Sequence, residues 1–243
     1  VTNNFGQGKG IYLNLSLEDY SNKDGGHEEL SLIMEEILKA TGIEKPVTLK
    51  DAAGRKIRKG YETYYYSQGS ARYIGVLKKF ETEAEAGYDG IIMGMEKFES
   101  GIEEEIILEF EDSNHIYDVR NQKYLGWTDR VELLVAEGDN RLLALLPDRL
   151  QGIEIELPER VEQGEKLELK IKVNRKDEDY NRVLSVSFYN PEGEYMWLYS
   201  GNHIVDDIEV NYRLPYNEKK GIWRIVVRDT ATGISQEDTF EVT

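Results

Sequence analysis

The sequence predicts a mainly β protein, two β-sandwich domains preceded by a short strand–helix remnant of an α/β layer. Three observations predict it. Apolar and polar residues alternate through most of the chain after residue 45, the period of strands with one face on a core. Short polar or glycine-bearing breaks separate these runs, as at Asp112-Ser113-Asn114, Asn121-Gln122-Lys123 and Glu137-Gly138-Asp139-Asn140. One stretch near the start instead carries the three-to-four spacing of an amphipathic helix.

Residues 1–45 form the remnant. Gly8-Lys9-Gly10-Ile11-Tyr12-Leu13-Asn14-Leu15 reads as a strand entered through a glycine turn, and Ser21 to Gly26 as a polar loop. Leu30, Ile33, Met34, Ile37, Leu38 and Thr41 then line one helix face. Glu28 and Glu29 sit at its positive end, Lys39 lies near the other, and Gly42 is a natural stop. One strand and one helix cannot enclose a core, so they must pack on the next domain or on something outside this chain.

Residues 46–149 predict an antiparallel sandwich of seven or eight strands. Pro46–Lys50 comes first, followed by Tyr61–Ser67 and Ala71–Phe80, which the turn Gln68-Gly69-Ser70 joins as a hairpin. Glu81 to Glu99 reads as an acidic surface loop with a short strand at Gly90–Met95. Runs at Ile106–Glu111, Ile116–Val119, Val131–Ala136 and Arg141–Leu146 are then expected to pair as a meander.

Residues 150–243 predict an immunoglobulin-like or fibronectin-like sandwich. Seven runs, beginning at Ile153, Leu167, Leu184, Tyr195, Ile208, Trp223 and Phe240, are spaced by turns such as Pro191-Glu192-Gly193 and Thr232-Gly233.

Composition removes whole classes of function. The 243 residues carry 30 Lys plus Arg against 47 Asp plus Glu, a formal charge of −17. Nucleic acid and anionic membrane surfaces are held by clusters of cations, so neither is an expected partner. With 0 cysteines, disulfides, thiolate catalysis and cysteine zinc sites are excluded. No apolar run approaches the roughly 20 residues of a membrane-spanning helix. A start at Val1 rather than Met points to a processed or excised piece.

Several stretches together resemble a known family. GKGIYLNLSLEDY and a helix ending ATGIEKP are similar to the last strand and helix of the flavodoxin-like trimerisation domain of beta-galactosidase-type glycoside hydrolases. The Tyr-rich strand, ARYIGVLKKF, EEIILEFEDSNHIYDVRNQKYLG and NRLLALLP resemble the β-sandwich that comes after it in that family. The last module, with NPEGEY, GIWRIVVRD and TATG, looks like a bacterial immunoglobulin-like domain. The resemblance covers residues 1–147 and none of the family's catalytic barrel. It therefore implies a non-catalytic accessory region of a larger exported protein, extracellular or periplasmic, with upstream domains of the same polypeptide as partners. Assembly as a homo-oligomer and contact with polysaccharide are the further partners it allows. No catalytic residue and no cofactor carries over.

Candidate sites are few. Paired carboxylates perform glycoside hydrolysis, but Glu103, Glu104, Glu105, Glu109 and Glu111 read as the solvated face of strands. His27, His115 and His203 lack the spacing of metal ligands. The acidic turns with Asp177, Asp179, Asp206 and Asp207 could supply some of the oxygens a calcium ion needs, although no EF-hand pattern is present. Tyr64, Tyr65 and Tyr66 on one strand, and Tyr195, Trp197 and Tyr199 on one face of another, are the carbohydrate-binding candidates. Aromatic planes match the apolar C–H faces of sugar rings, and they serve equally well in a core or a seam.

Overall fold

The computed structural model of this protein describes residues 2–6, 8–12, 26–43, 45–58, 60–79, 103–174, 179–205 and 207–243. They form sixteen strands and one helix. The chain divides into two compact units. The first holds Val1–Thr63, Val76–Asp112 and Asp129–Asn140; the second holds Tyr64–Gly75, Ser113–Thr128 and Arg141–Thr243.

In the first unit, β1 (Thr2–Phe5) and β2 (Gly8–Ile11) form an antiparallel hairpin, turned at Gly6 with its φ of 59°. Periodicity marked only the second of these strands, and its expected continuation from Leu13 to Leu15 lies outside the described residues. Helix α1 (Gly26–Thr41) comes next. Two of its C-terminal carbonyls are closed by its own chain: Gly42 N–H donates to Lys39 O at 3.1 Å and Ile43 N–H to Leu38 O at 3.0 Å. The apolar stripe is only half covered, and Met34 remains 40% exposed.

Strands β3 (Thr48–Asp51), β4 (Tyr61–Gln68), β5 (Ala71–Lys78), β6 (Glu104–Asp118), β7 (Lys123–Val135) and β8 (Asn140–Leu146) make one six-stranded sheet. Its order is β3-β6-β8-β5-β4, and β7 also pairs with β6. The meander expected from sequence is corrected here, because β8 lies beside β6 and β5 in that order. A second correction concerns Asp112-Ser113-Asn114, which does not break the strand. Glu111, Asp112 and Ser113 are exposed, whereas Asn114 is buried and its Oδ1 accepts a hydrogen bond from Arg72 at 3.0 Å. A polar triplet with its own partner changes which face is wet without ending the backbone ladder. The break at Asn121-Gln122 is real: Asn121 N–H donates to Asp118 Oδ1 at 3.0 Å and Gln122 adopts a φ of 51°. The expected strand at Gly90–Met95 lies outside the described residues.

The remaining strands build a sandwich in the second unit. They are β9 (Gly152–Glu156), β10 (Arg160–Val161), β11 (Lys166–Asn174), β12 (Arg182–Tyr189), β13 (Gly201–Val205), β14 (Asp207–Arg213), β15 (Gly221–Asp229) and β16 (Ser235–Val242). One sheet runs β14-β11-β9 and the other β10-β16-β15-β12-β13, with the short β10 parallel to β16. Leu167, Leu169 and Ile171 from the first sheet meet Leu184, Val186, Phe188, Trp223, Ile225 and Val227 from the second in one core. Two sheets over a common core, with the alternation read from sequence, make an immunoglobulin-like sandwich.

The same inward-facing registers continue into charge at one end of that core. Arg182 is on β12 and Asp229 on β15, and both are buried with Asp148 and Tyr180. Alongside them, Ala71, Tyr117, Ala144, Leu146 and Tyr180 form a second buried cluster. The end of the six-stranded sheet and the immunoglobulin-like strands thus meet, within this unit, at the buried group of Asp148, Tyr180, Arg182 and Asp229.

Candidate functional site

Tyr64, Tyr65 and Tyr66 are 43%, 45% and 61% exposed on β4. Strand alternation sends Tyr64 and Tyr66 to one face and Tyr65 to the other. Tyr64 lies across from Gly75 of β5, where an added Cβ would stand 3.4 Å from the Tyr64 Cβ. All three side chains therefore offer ring surface to solvent.

The second aromatic group departs from the expected strand. Asn190 is buried, and its Oδ1 accepts from the N–H of Glu192 at 3.0 Å and of Glu194 at 2.9 Å, closing a tight turn with Gly193 at a φ of 80°. Tyr195 then makes a single bridge to Tyr189, and Met196 N–H donates to Phe188 O at 2.8 Å. Three donors converge on the Met196 carbonyl: Tyr199 N–H and Ser200 N–H at 3.2 Å, and Ser200 Oγ at 2.8 Å. That convergence curls residues 196–200 into a turn, so the three aromatic residues do not share a strand face. Trp197 is 73% exposed at its crest, beside Leu198 at 67%. Tyr195 is exposed on the outer side, its ring 5.9 Å from that of Tyr189, over which Arg224 stacks at 4.3 Å. Tyr199 points the other way, edge-on to Trp223 at 5.9 Å. Its hydroxyl donates to Glu218, and burial together with that carboxylate pushes its ionisation well above the ordinary phenol value. The alternation Tyr-Met-Trp-Leu-Tyr imitates a strand, and only its position directly after the Asn-Pro-Glu-Gly turn signals otherwise.

A third aromatic group was not legible. Trp127 on β7 is 57% exposed, with its ring 4.6 Å from that of His115. His115 Nδ1 and the Tyr124 hydroxyl are 2.8 Å apart, and Arg149 stacks on Tyr124 at 4.9 Å. Burial, and then the neighbouring Arg149, lower the His115 pKa, which favours the neutral ring. The signal available was Gly126-Trp127-Thr128, between the expected strands Ile116–Val119 and Val131–Ala136.

Of the acidic candidates, Glu104 and Glu109 are held by cations, and Glu103, Glu105 and Glu111 are exposed. Glu104 is bound by Lys78 Nζ at 3.0 Å and by the Tyr61 hydroxyl at 3.0 Å. The Lys78 hydrogen bond, foremost, lowers its pKa, the wrong direction for a general acid. Glu109 pairs with Lys50 at 2.6 Å. Asp177 and Asp206 lie outside the described residues, as does the side chain of Asp207. Asp179 is exposed and its carbonyl faces Gly69. Among the described residues, no group of three or more His, Asp or Glu side chains is placed to hold a metal ion. Among them, too, no helix is long and apolar enough to cross a membrane.

No protein-family model matches this chain. No curated protein matches it either. Among solved structures, 16 chains match, including the native conformation of E. coli alpha-2-macroglobulin seen by electron cryo-microscopy. That likeness has a TM-score of 0.27 at 10% identity and covers 81% of this chain and 22% of the other, so this chain spans under a quarter of that protein's length.

Proposed function

We propose that this chain is a non-catalytic accessory region of a larger, exported, glycoside-hydrolase-like protein, where it serves assembly, spacing or interaction. The observation that carries this reading is the buried ion-paired group within the second unit. Asp148, just past the end of β8, is buried with Arg182 and Asp229 of the immunoglobulin-like strands. A module fused in this way holds its surfaces at a fixed position instead of swinging on a linker, as a spacer or assembly element requires. The resemblance of residues 1–147 to the beta-galactosidase type supplies the context of the parent protein. The test has two arms. An in-frame catalytic barrel upstream of Val1 in the gene supports the reading. Hydrolysis of nitrophenyl glycosides by the isolated chain, abolished by an acid-to-amide change, overturns it.

A second reading, a carbohydrate-binding module, is favoured by the exposure of Tyr64, Tyr65, Tyr66, Tyr195 and Trp197. Flat rings in water match sugar C–H faces, and stacking there needs no rearrangement of the core. Binding on a glycan array, lost in both Tyr65→Ala and Trp197→Ala, supports it. Flat isotherms with every polysaccharide tested remove it.

A further inference from the structure

Helix α1, β3 and the chain from there to Thr63 enclose a cleft of about 470 Å³, lined by residues of the first unit. Its volume lies within the range of small-molecule sites. Leu38, Val47, Leu49 and Ile57 give it apolar walls, and Tyr61 adds an aromatic one. The charges are unusual for this chain. Among the described residues, Lys39, Lys45, Lys56 and Arg58 line the cleft against Glu35 and Glu36, in a protein whose formal charge is −17.

Those cations are not all consumed by neighbours. Glu35 pairs closely with Lys45 at 2.9 Å and more loosely with Arg58 at 3.6 Å, a distance longer than a direct hydrogen bond. Lys39 and Lys56 make no ion pair within 4 Å among the described residues, although Lys56 is near enough to Glu35 to help lower its pKa. At the negative end of α1 the Lys39 carbonyl already accepts from Gly42 N–H, and the Leu38 carbonyl from Ile43 N–H and from Thr41 Oγ1 at 2.7 Å. An excess of positive charge along a half-apolar cleft selects for a negative guest.

We propose that this cleft binds a small organic anion. Its carboxylate or phosphate would be held among Lys39, Lys56 and Arg58, and its body would lie against Tyr61 and the apolar wall. Arg58 offers a planar fork suited to either headgroup, and Lys39 and Lys56 act as point charges.

Calorimetric titration of the full chain at low salt tests this, with glucuronate and glucose 6-phosphate as probes and glucose and inorganic phosphate as controls. At least one organic anion binds, glucose does not, and a Lys39→Gln/Lys56→Gln double variant weakens binding about tenfold, with a further loss at high salt. Both lysines are exposed, so the double variant keeps the parent's melting temperature. Glu35→Gln, which frees Lys45 and Arg58, tightens binding about threefold and gives an independent reading from a variant of opposite sign. Stronger binding of glucuronate than of the phosphate ester identifies a carboxylate guest, and the reverse order a phosphate one. Flat titrations with both anions, equal binding of glucose, inorganic phosphate binding as tightly as either organic anion, or unchanged affinity in the double variant overturn the proposal.

Discussion

Arg182 Nη2 lies 3.1 Å from Asp148 Oδ1 in the interior of the second unit, where neither side chain reaches water to any extent. The other arm of the guanidinium, Nη1, is 3.4 Å from Asp229 Oδ2, and the Tyr180 hydroxyl donates to Asp148 at 2.5 Å. One cation thus holds two carboxylates that water cannot reach. Such a triplet shows its energy mainly when one member is lost, since the remaining buried charge then has no partner. Arg182→Met is expected to lower unfolding stability by about 3–5 kcal/mol, read from the urea midpoint at unchanged slope. A change below about 1 kcal/mol would mean that water enters the site and the triplet is no lock.

Gly69 turns β4 into β5 with a φ of 54°, and a Cβ built there would overlap the Asp179 carbonyl oxygen. Backbone, not a flexible side-chain tip, blocks the space. Gly54 has a φ of 79° but open surroundings, so it separates backbone strain from collision. Gly54→Ala should cost about 1–2 kcal/mol, the left-handed penalty alone. Gly69→Ala should cost clearly more, because a steric overlap adds to the same strain. Thermal melts of the two variants side by side decide it; equal losses would show that the Asp179 loop gives way freely.

Trp197 and Tyr199 sit two residues apart, one in solvent and one against the core, so their truncations should diverge. Trp197→Ala is expected to change stability by no more than about 0.5 kcal/mol, as surface substitutions do. Tyr199→Ala removes an aromatic packed on Trp223, Phe188 and Tyr212 and should cost about 3–5 kcal/mol. Chemical denaturation of each variant measures the contrast. Similar losses for both would mean that the turn at Met196 is itself held by the indole.

How much of this could be read from the residues differs by element. Strands such as β11 and β15 were legible because one face meets a core and the other meets water, so Leu167-Glu168-Leu169-Lys170-Ile171 spells its own burial, whereas β10 and β13 were not among the expected runs. β6 was misread at Asp112-Ser113-Asn114 because its polar residues are satisfied by exposure and by Arg72, a partner 42 positions away. Local sequence cannot report such a partner. The turn at residues 196–200 was misread for the converse reason: two backbone donors and the Ser200 hydroxyl fix it on the Met196 carbonyl, and they leave no trace in the alternation of apolar and polar residues. Of the candidate site, the tyrosines of β4 were found by composition, but their exposure depends on sheet order, which periodicity does not encode.

Alkaline pH should destabilise the protein through its buried phenols. Burial raises the pKa of Tyr73, Tyr117, Tyr180, Tyr199 and Tyr212, with Asp148 adding to the effect at Tyr180. A group whose folded pKa exceeds its unfolded one leaves stability intact below the unfolded value, which for tyrosine is about 10. Above that, the unfolded chain loses protons that the folded chain retains, and stability falls as pH rises toward the folded values. Urea midpoints measured from about pH 8 to about pH 11 should therefore hold steady and then decline. Tyr180→Phe should begin lower by about 1–2 kcal/mol, having lost a buried hydrogen bond to Asp148, yet decline less steeply, since one phenol that must stay protonated is gone. A decline equally steep in Tyr180→Phe would place the alkaline loss on other groups, and no decline at all would mean that these hydroxyls ionise without leaving the fold.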